Sequence, residues 1–212
     1  TAIRIGSSEG SGTAGTVGSA LTGTYGQLTL NANGSYTYVA NQTAADALDA
    51  GDEVVDYFNY TVSDGAATDI AVISIKVIGI NDTPVAQNDV GVIAEDNTLT
   101  VTNGANANES GGSYNATGEH SGDVINTSSG SHQDSDADAS ASLTVTQIKK
   151  NGGSNSSVSS GSSYNSSGTA VTGTYGTLTI GADGSYTYAA TAVAADGIAS
   201  GETANDVFVY TL

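Results

Sequence analysis

The chain has no cysteine, no tryptophan and no methionine, a single proline, and only 4 basic residues against 22 acidic ones. Without cysteine there is no disulfide framework and no thiol chemistry, so a secreted chain of this kind needs other staples, bound metal among them. The formal net charge of −18 repels nucleic acid and anionic membrane surfaces, which sets both aside as partners. That charge also burdens the compact state with self-repulsion that cations would relieve. No apolar run of about 18 residues is present, so membrane insertion by a helix is not expected.

What is abundant is equally telling. Glycine (28 residues), serine, threonine, asparagine and alanine dominate, and much of the 38% hydrophobic content is alanine. Cores built from such material are thin and turns frequent, which favours β-sandwiches over helical bundles.

One sixteen-residue stretch is written twice. Residues 23–38 read GTYGQLTLNANGSYTY and residues 173–188 read GTYGTLTIGADGSYTY, identical at 12 of 16 positions. The register holds downstream, where Asp56-Tyr57-Phe58-Asn59-Tyr60 faces Asp206-Val207-Phe208-Val209-Tyr210. An offset of 150 residues is far too long for a solenoid unit and suits whole domains in tandem. Residues 1–5 match 146–150, whereas the second copy stops at Leu212, opposite Val62. The chain therefore reads as cut from a longer array: residues 1–83 form a module lacking its opening strands, and residues 84–212 one lacking its closing strands.

Within each copy the alternation is that of strands. Gln27–Leu30 and Ser35–Tyr38 alternate apolar with polar residues around Asn31-Ala32-Asn33-Gly34, predicting a hairpin closed by a type I turn and a left-handed glycine. Leu28, Leu30, Tyr36 and Tyr38 are expected to share one buried face. Residues 54–63 predict a long strand with Phe58, Tyr60 and Val62 on one side and Tyr57, Asn59 and Thr61 on the other. It should pair through the Asp64-Gly65 turn with residues 69–78. Residues 41–50 predict a loop or one helical turn, and Leu143–Ile148 another strand. Residues 103–122 and 151–168 are rich in glycine, serine and asparagine and are expected to bury no core.

GTYGTLTIGADGSYTY, followed by the V-x-DYF-x-YTVSDG stretch and then GINDTPVA, resembles the VCBS-type, cadherin-like repeat, with its blocks in family order. Such repeats occur in very large secreted bacterial adhesins, including RTX and biofilm-associated adhesins. The resemblance implies an all-β fold of tandem cadherin-like or immunoglobulin-like Greek-key sandwiches, export by a dedicated route, an extracellular cell-surface or matrix location, and calcium at the modules. The Gly/Ser/Asn-rich inserts make this repeat longer than the family pattern.

Asp134-Ser135-Asp136-Ala137-Asp138 sets three carboxylates at alternate positions, from which they can converge on one hard cation wanting six to eight oxygens. It lacks the glycine and distant glutamate of an EF-hand. It is similar to the DxD element that cadherin-like modules contribute to an inter-module site. Asn81, Asp82, Asn88 and Asp89 around Pro84, with Glu95 and Asp96 beyond, would complete the Ca2+ ligands, and Asp64 is a further candidate. The plain alternative is that these acids crowd solvated loops, with Asp64 an ordinary turn former. Bound calcium would stiffen the junction between modules.

Nothing in the sequence spells catalysis. His120 and His132 lie in Gly/Ser-rich loops without metal-motif spacing, and no Gly-x-Ser-x-Gly elbow is present. The recurrent tyrosines read as core and cross-strand packing. The expected function is non-enzymatic: an extender or adhesion repeat whose partners are neighbouring modules of the same or identical chains. Two alternatives remain, a filament subunit that exchanges strands with its neighbours and a module that binds carbohydrate, surface glycans or matrix.

Overall fold

A computed structural model describes residues 2–105, 119–125 and 132–212. Two compact units are present, one formed by Thr1–Thr83 with Ala137–Ala141, the other by Pro84–Asp136 with Ser142–Leu212. Both are β-structures, as the period-two alternation dictates.

The first unit contains β1 (Ile3–Ile5), β2 (Ala14–Gly15), β3 (Ala20–Thr22), β4 (Gln27–Leu30), β5 (Tyr36–Val39), a single helical turn α1 (Thr43–Asp46), β6 (Glu53–Ser63) and β7 (Thr68–Ile78). One sheet has the order β2-β1-β6-β7 and the other β3-β4-β5. Ile3, Leu21, Leu28, Leu30 and Phe58 form its core. The long hairpin β6–β7 is in continuous antiparallel register from Glu53↔Ile78 to Ser63↔Thr68. Asp64 closes its turn by accepting from the N–H groups of Ala66 and Ala67 at 2.8 and 2.7 Å.

The second unit contains β8 (Gly91–Val92), β9 (Thr98–Val101), β10 (Glu119–His120), β11 (Gln147–Lys150), β12 (Ser156–Ser157), β13 (Thr169–Thr172), β14 (Thr177–Ile180), β15 (Tyr186–Ala189) and β16 (Phe208–Thr211). Its sheets run β12-β11-β16 and β13-β14-β15-β9, with a small β10-β8 pair beside them. Leu99, Val101, Val145, Ile148, Leu178, Ile180 and Tyr186 lie in its core.

The repeated hairpin is built alike in both units. Gly34 and Gly184 hold φ of +86° and +83°, the left-handed conformation that glycine adopts without steric cost. Leu28, Leu30 and Tyr38 of the expected buried face point into the first core, but Tyr36 is exposed. Its counterpart Tyr186 is buried because β9 pairs alongside it.

Asn59, on the opposite side of β6 from Phe58 by alternation, is buried as well, and its amide holds the β1–β2 connection. It accepts from Gly10 N–H at 3.1 Å and donates to the carbonyls of Gly6 and Ser11, both at 3.1 Å. Residues 143–146 are not strand, which begins only at Gln147. Residues 151–168 are not mere spacer, because Val158 and Ser162 are buried. Ser162 accepts from Ala182 N–H through its hydroxyl at 3.0 Å and from Asp183 N–H through its carbonyl at 3.2 Å. A small polar residue can thread against a turn where a bulky one would not fit. In the other Gly/Ser/Asn-rich stretch, residues 106–118 lie outside the described residues, whereas Ser121 at its end is buried.

All four basic residues, Arg4, Lys76, Lys149 and Lys150, lie within strands. Among the described residues no helix is long and apolar enough to cross a membrane.

Candidate functional site

Two constructions of carboxylate chemistry stand out, one repeated and one unique. The repeated one is an aspartate bracket. Asp56, on β6, accepts from the N–H groups of Thr24, Tyr25 and Gly26 at 2.9, 3.0 and 3.1 Å, and from the Tyr38 hydroxyl at 2.7 Å. Asp206 does the same with Thr174, Tyr175, Gly176 and Tyr188, at 2.6, 2.8, 3.2 and 2.7 Å. Three successive backbone donors aimed at one carboxylate make a strong charge-assisted cradle. Burial works to raise the Asp206 carboxyl, yet these donors together hold it below the usual aspartate value. The glycines of Gly-Thr-Tyr-Gly are required sterically: a Cβ on Gly23 would sit 2.5 Å from the Asp56 carboxylate, and one on Gly26 would sit 2.5 Å from the Tyr38 ring. The bracket staples the start of the hairpin to the opposite sheet in a chain that has no disulfide.

The unique construction gathers oxygens around the Tyr210 hydroxyl, within the second unit. Five lie within reach: Gln87 O at 2.9 Å, Val124 O at 3.0 Å, Asp89 Oδ2 at 3.2 Å, and Asp134 Oδ1 and Oδ2 at 3.2 and 3.0 Å. A phenol carries one hydrogen, so it can satisfy only a fraction of them. Asp134 also accepts from Gln87 N–H at 2.6 Å, and Asp89 from the Ser121 hydroxyl at 2.9 Å. Burial pushes the Asp89 carboxyl up to about 7, with Asp134 adding repulsion while Ser121, Tyr210 and His132 oppose the rise. Burial likewise raises Asp134, against the pull of Gln87 and Tyr210. The neighbouring Asp123 is buried and uses its carboxylate to hold Gly104 N–H at 2.6 Å and Ile125 N–H at 3.0 Å.

The ten sequence candidates for calcium divide accordingly. Asp89 and Asp134 meet at Tyr210, whereas the Asn88 carbonyl contacts His132 Nδ1 instead. Asp82 and Asp138 belong to the first unit, where Asp82 N–H donates to Asp138 Oδ2 at 2.9 Å and the Asn81 amide donates to the Asp82 carbonyl. Asp136 is half-buried in the second unit. Asp64 is engaged in its own turn, and Glu95 and Asp96 are exposed, Asp96 in a turn at φ +62°. Among the described residues no group of three or more histidine or acidic side chains is placed to hold a metal. Any cation would therefore depend on carbonyl oxygens as well as carboxylates, a mixture calcium accepts.

Sequence reasoning did not single out Asp56, Asp206, Asp123 or Tyr210. The first two were legible, because each copy pairs Gly-Thr-Tyr-Gly with an aspartate at the same distance. Asp123 and Tyr210 carried no local signal, since their partners come from remote segments.

Residues 4–76 match the family model of a bacterial Ig domain. No curated protein and no solved structure matches the chain. The match covers the first unit from β1 into β7 and supports an Ig-like repeat family with an Ig-like β-sandwich fold. Bacterial Ig-like domains are typically non-catalytic, serve generally as surface or extender modules, and commonly occur in surface or extracellular proteins.

Proposed function

We propose that the chain is an extender segment of a large secreted surface or biofilm-matrix protein, of the VCBS-type, cadherin-like kind, and that calcium rigidifies it. The observation that carries the structural role is the repetition. One chain builds the same hairpin and bracket twice, and each copy uses the equivalent aspartate, Asp56 or Asp206, to staple its own backbone.

Calcium enters through the oxygens at Tyr210. Asp89, Asp134 and the carbonyls of Gln87 and Val124 offer a set of hard oxygens that outnumber the donors from Tyr210, Ser121 and Gln87, and burial pushes both carboxyls up. A divalent ion there would neutralise two carboxylates and hold the 87–89, 124 and 134 segments together. When bound, calcium supplies charge neutralisation and cross-linking, and no chemical transformation is involved.

Thermal unfolding in millimolar calcium and in EGTA tests the proposal. Calcium at a hundred times its Kd stabilises by about 2.7 kcal/mol, enough to raise the melting temperature by several degrees. The rise should vanish in Asp134→Asn. Equal melting in both buffers would remove calcium from the proposed function and leave an extender that is stiff without metal.

A further inference from the structure

Asparagine is followed by glycine three times in the chain, at Asn33-Gly34, Asn103-Gly104 and Asn151-Gly152. The pairing carries a chemistry of its own. Because glycine has no side chain, its backbone nitrogen can closely approach the carbonyl carbon of the preceding asparagine side chain. Reaction needs that nitrogen free of other bonds, a carboxamide free to turn toward it, and room for the ring that forms. The fold meets these conditions unequally.

At Asn33 both groups are engaged. Gly34 N–H donates to Asn31 O at 3.0 Å, and the Asn33 side-chain oxygen accepts from Ser35 N–H at 3.0 Å and from the Ser35 hydroxyl at 2.7 Å. At Asn103 the nitrogen is held more tightly, because Gly104 N–H donates to the buried Asp123 carboxylate at 2.6 Å. Neither constraint applies at Asn151, which opens the turn between β11 and β12. Among the described residues, neither its carboxamide nor Gly152 N–H forms a hydrogen bond. Both residues are exposed, and a Cβ built on Gly152 would meet no atom within 4 Å. Asn151 N–H donates to Val207 O and Gly153 N–H to Lys150 O, both at 2.8 Å, so the turn is pinned on either side of a nitrogen left to solvent. Lys149 and Lys150, the one pair of consecutive basic residues in the chain, come immediately before. Their positive charge favours the nitrogen anion that attacks.

We propose that the fold selects Asn151 as a self-modification site, which water converts to isoaspartate and aspartate. The Gly152 nitrogen gives its proton to hydroxide and attacks the carbonyl carbon of the Asn151 side chain. The new C–N bond closes a succinimide ring as the bond to the amide nitrogen breaks, and that nitrogen takes a proton from water and leaves as ammonia. Water then opens the ring at either carbonyl. One opening leaves aspartate, and the other routes the backbone through the side-chain carbon. Overall, water is consumed and ammonia released. The product sets a new carboxylate next to Lys150. The isoaspartyl form also adds a backbone carbon between the two bonds that pin the turn. That extra length disturbs the start of β12, whose pairing with β11 rests on Gln147↔Ser157 and Ile148↔Ser156. The inference depends neither on calcium nor on the extender role.

The test holds the full 212-residue chain near neutral pH in EGTA, folded or unfolded in urea, and samples it over weeks. Each sample is digested and mapped by mass spectrometry, with isoaspartate located by electron-transfer fragmentation. Opening one ordinary hydrogen bond before the attack slows it by about tenfold. In the folded chain Asn151 should therefore convert about tenfold faster than Asn33 or Asn103, or more. In urea, where those bonds are gone, the three rates should draw together. Conversion of Asn151 no faster than the other two in the folded chain would overturn the proposal. So would a ranking that persists unchanged in urea, because local sequence and not the fold would then select the site. An Asn151 that stays intact in the folded chain while the unfolded chain reacts would overturn it as well.

Discussion

The Tyr38 hydroxyl donates to Asp56 at 2.7 Å, and 150 positions later Tyr188 donates to Asp206 at the same 2.7 Å. In each case the tyrosine ring also packs edge-on against the phenylalanine two residues past the aspartate, at 6.3 and 6.1 Å. One residue thus serves the polar bracket with its tip and the core with its ring.

Removing the acceptor should be the most damaging single change in the first unit. Asp56→Ala strands three backbone N–H groups and the Tyr38 hydroxyl, and should cost about 3 kcal/mol or more. Tyr38→Phe, which removes one donor and keeps the ring, should cost about 1 kcal/mol. Urea denaturation of the two variants measures both. A loss for Asp56→Ala no larger than for Tyr38→Phe would refute the bracket.

The glycines should be as sensitive as the aspartate they face. Gly26→Ala places a Cβ 2.5 Å from the Tyr38 ring, and overpacking of this kind costs about 1–3 kcal/mol. Gly34→Ala meets no neighbouring atom but must hold φ +86°, so its cost should be smaller, about 1 kcal/mol. Denaturation midpoints should rank the two in that order.

Asn59 should behave as a core residue despite its polarity. Asn59→Leu keeps the volume but leaves Gly10 N–H and the carbonyls of Gly6 and Ser11 without this partner, at about 2 kcal/mol. Faster amide exchange at Gly10 would accompany the loss. An unchanged midpoint would show that solvent replaces the amide.

Acid and base should act on the second unit in opposite directions. Asp206 is held below the ordinary 3.8, so its stabilisation is present above that value and disappears as pH falls through its lowered folded pKa. Asp89 is raised from 3.8 to about 7, so its contribution is fully present below pH 3.8 and is lost as pH rises through 7. In EGTA, melting temperature should climb as pH drops from 8 toward 5 and then fall in stronger acid. Asp89→Asn should flatten the neutral limb and Asp206→Asn the acid limb. A profile without the neutral limb would contradict the Asp89 assignment, and one without the acid limb the Asp206 assignment.

Much of the fold was legible because period-two alternation and turn residues act locally. The hairpin at Leu28 and Tyr38, the Asn31–Gly34 turn and the long β6–β7 pair all follow from short-range pattern. Tyr36 was misplaced because its burial depends on a strand remote in sequence, present beside Tyr186 and absent beside Tyr36 among the described residues. The burial of Asn59 was not legible because alternation assigns a face but not what covers it. Ser162 was missed because glycine- and serine-rich sequence resembles spacer whether or not its small side chains pack against a turn. At the candidate site, the acidic residues were visible as a group. Their division between Asp82–Asp138 and Asp89–Asp134 was not, because it depends on which unit residues 137–141 join.

The scarcity of basic residues and their placement have a further consequence for resistance to proteolysis. Trypsin-like proteases cut after arginine or lysine in segments they can draw into an extended, unpaired form. Here those residues are Arg4, Lys76, Lys149 and Lys150, every one locked in a paired strand. The long Gly/Ser/Asn-rich stretches, the natural places to nick a chain, contain no such residue. For this class of enzyme, cleavage of the native chain requires a strand to open first, so its lifetime is set by local unfolding.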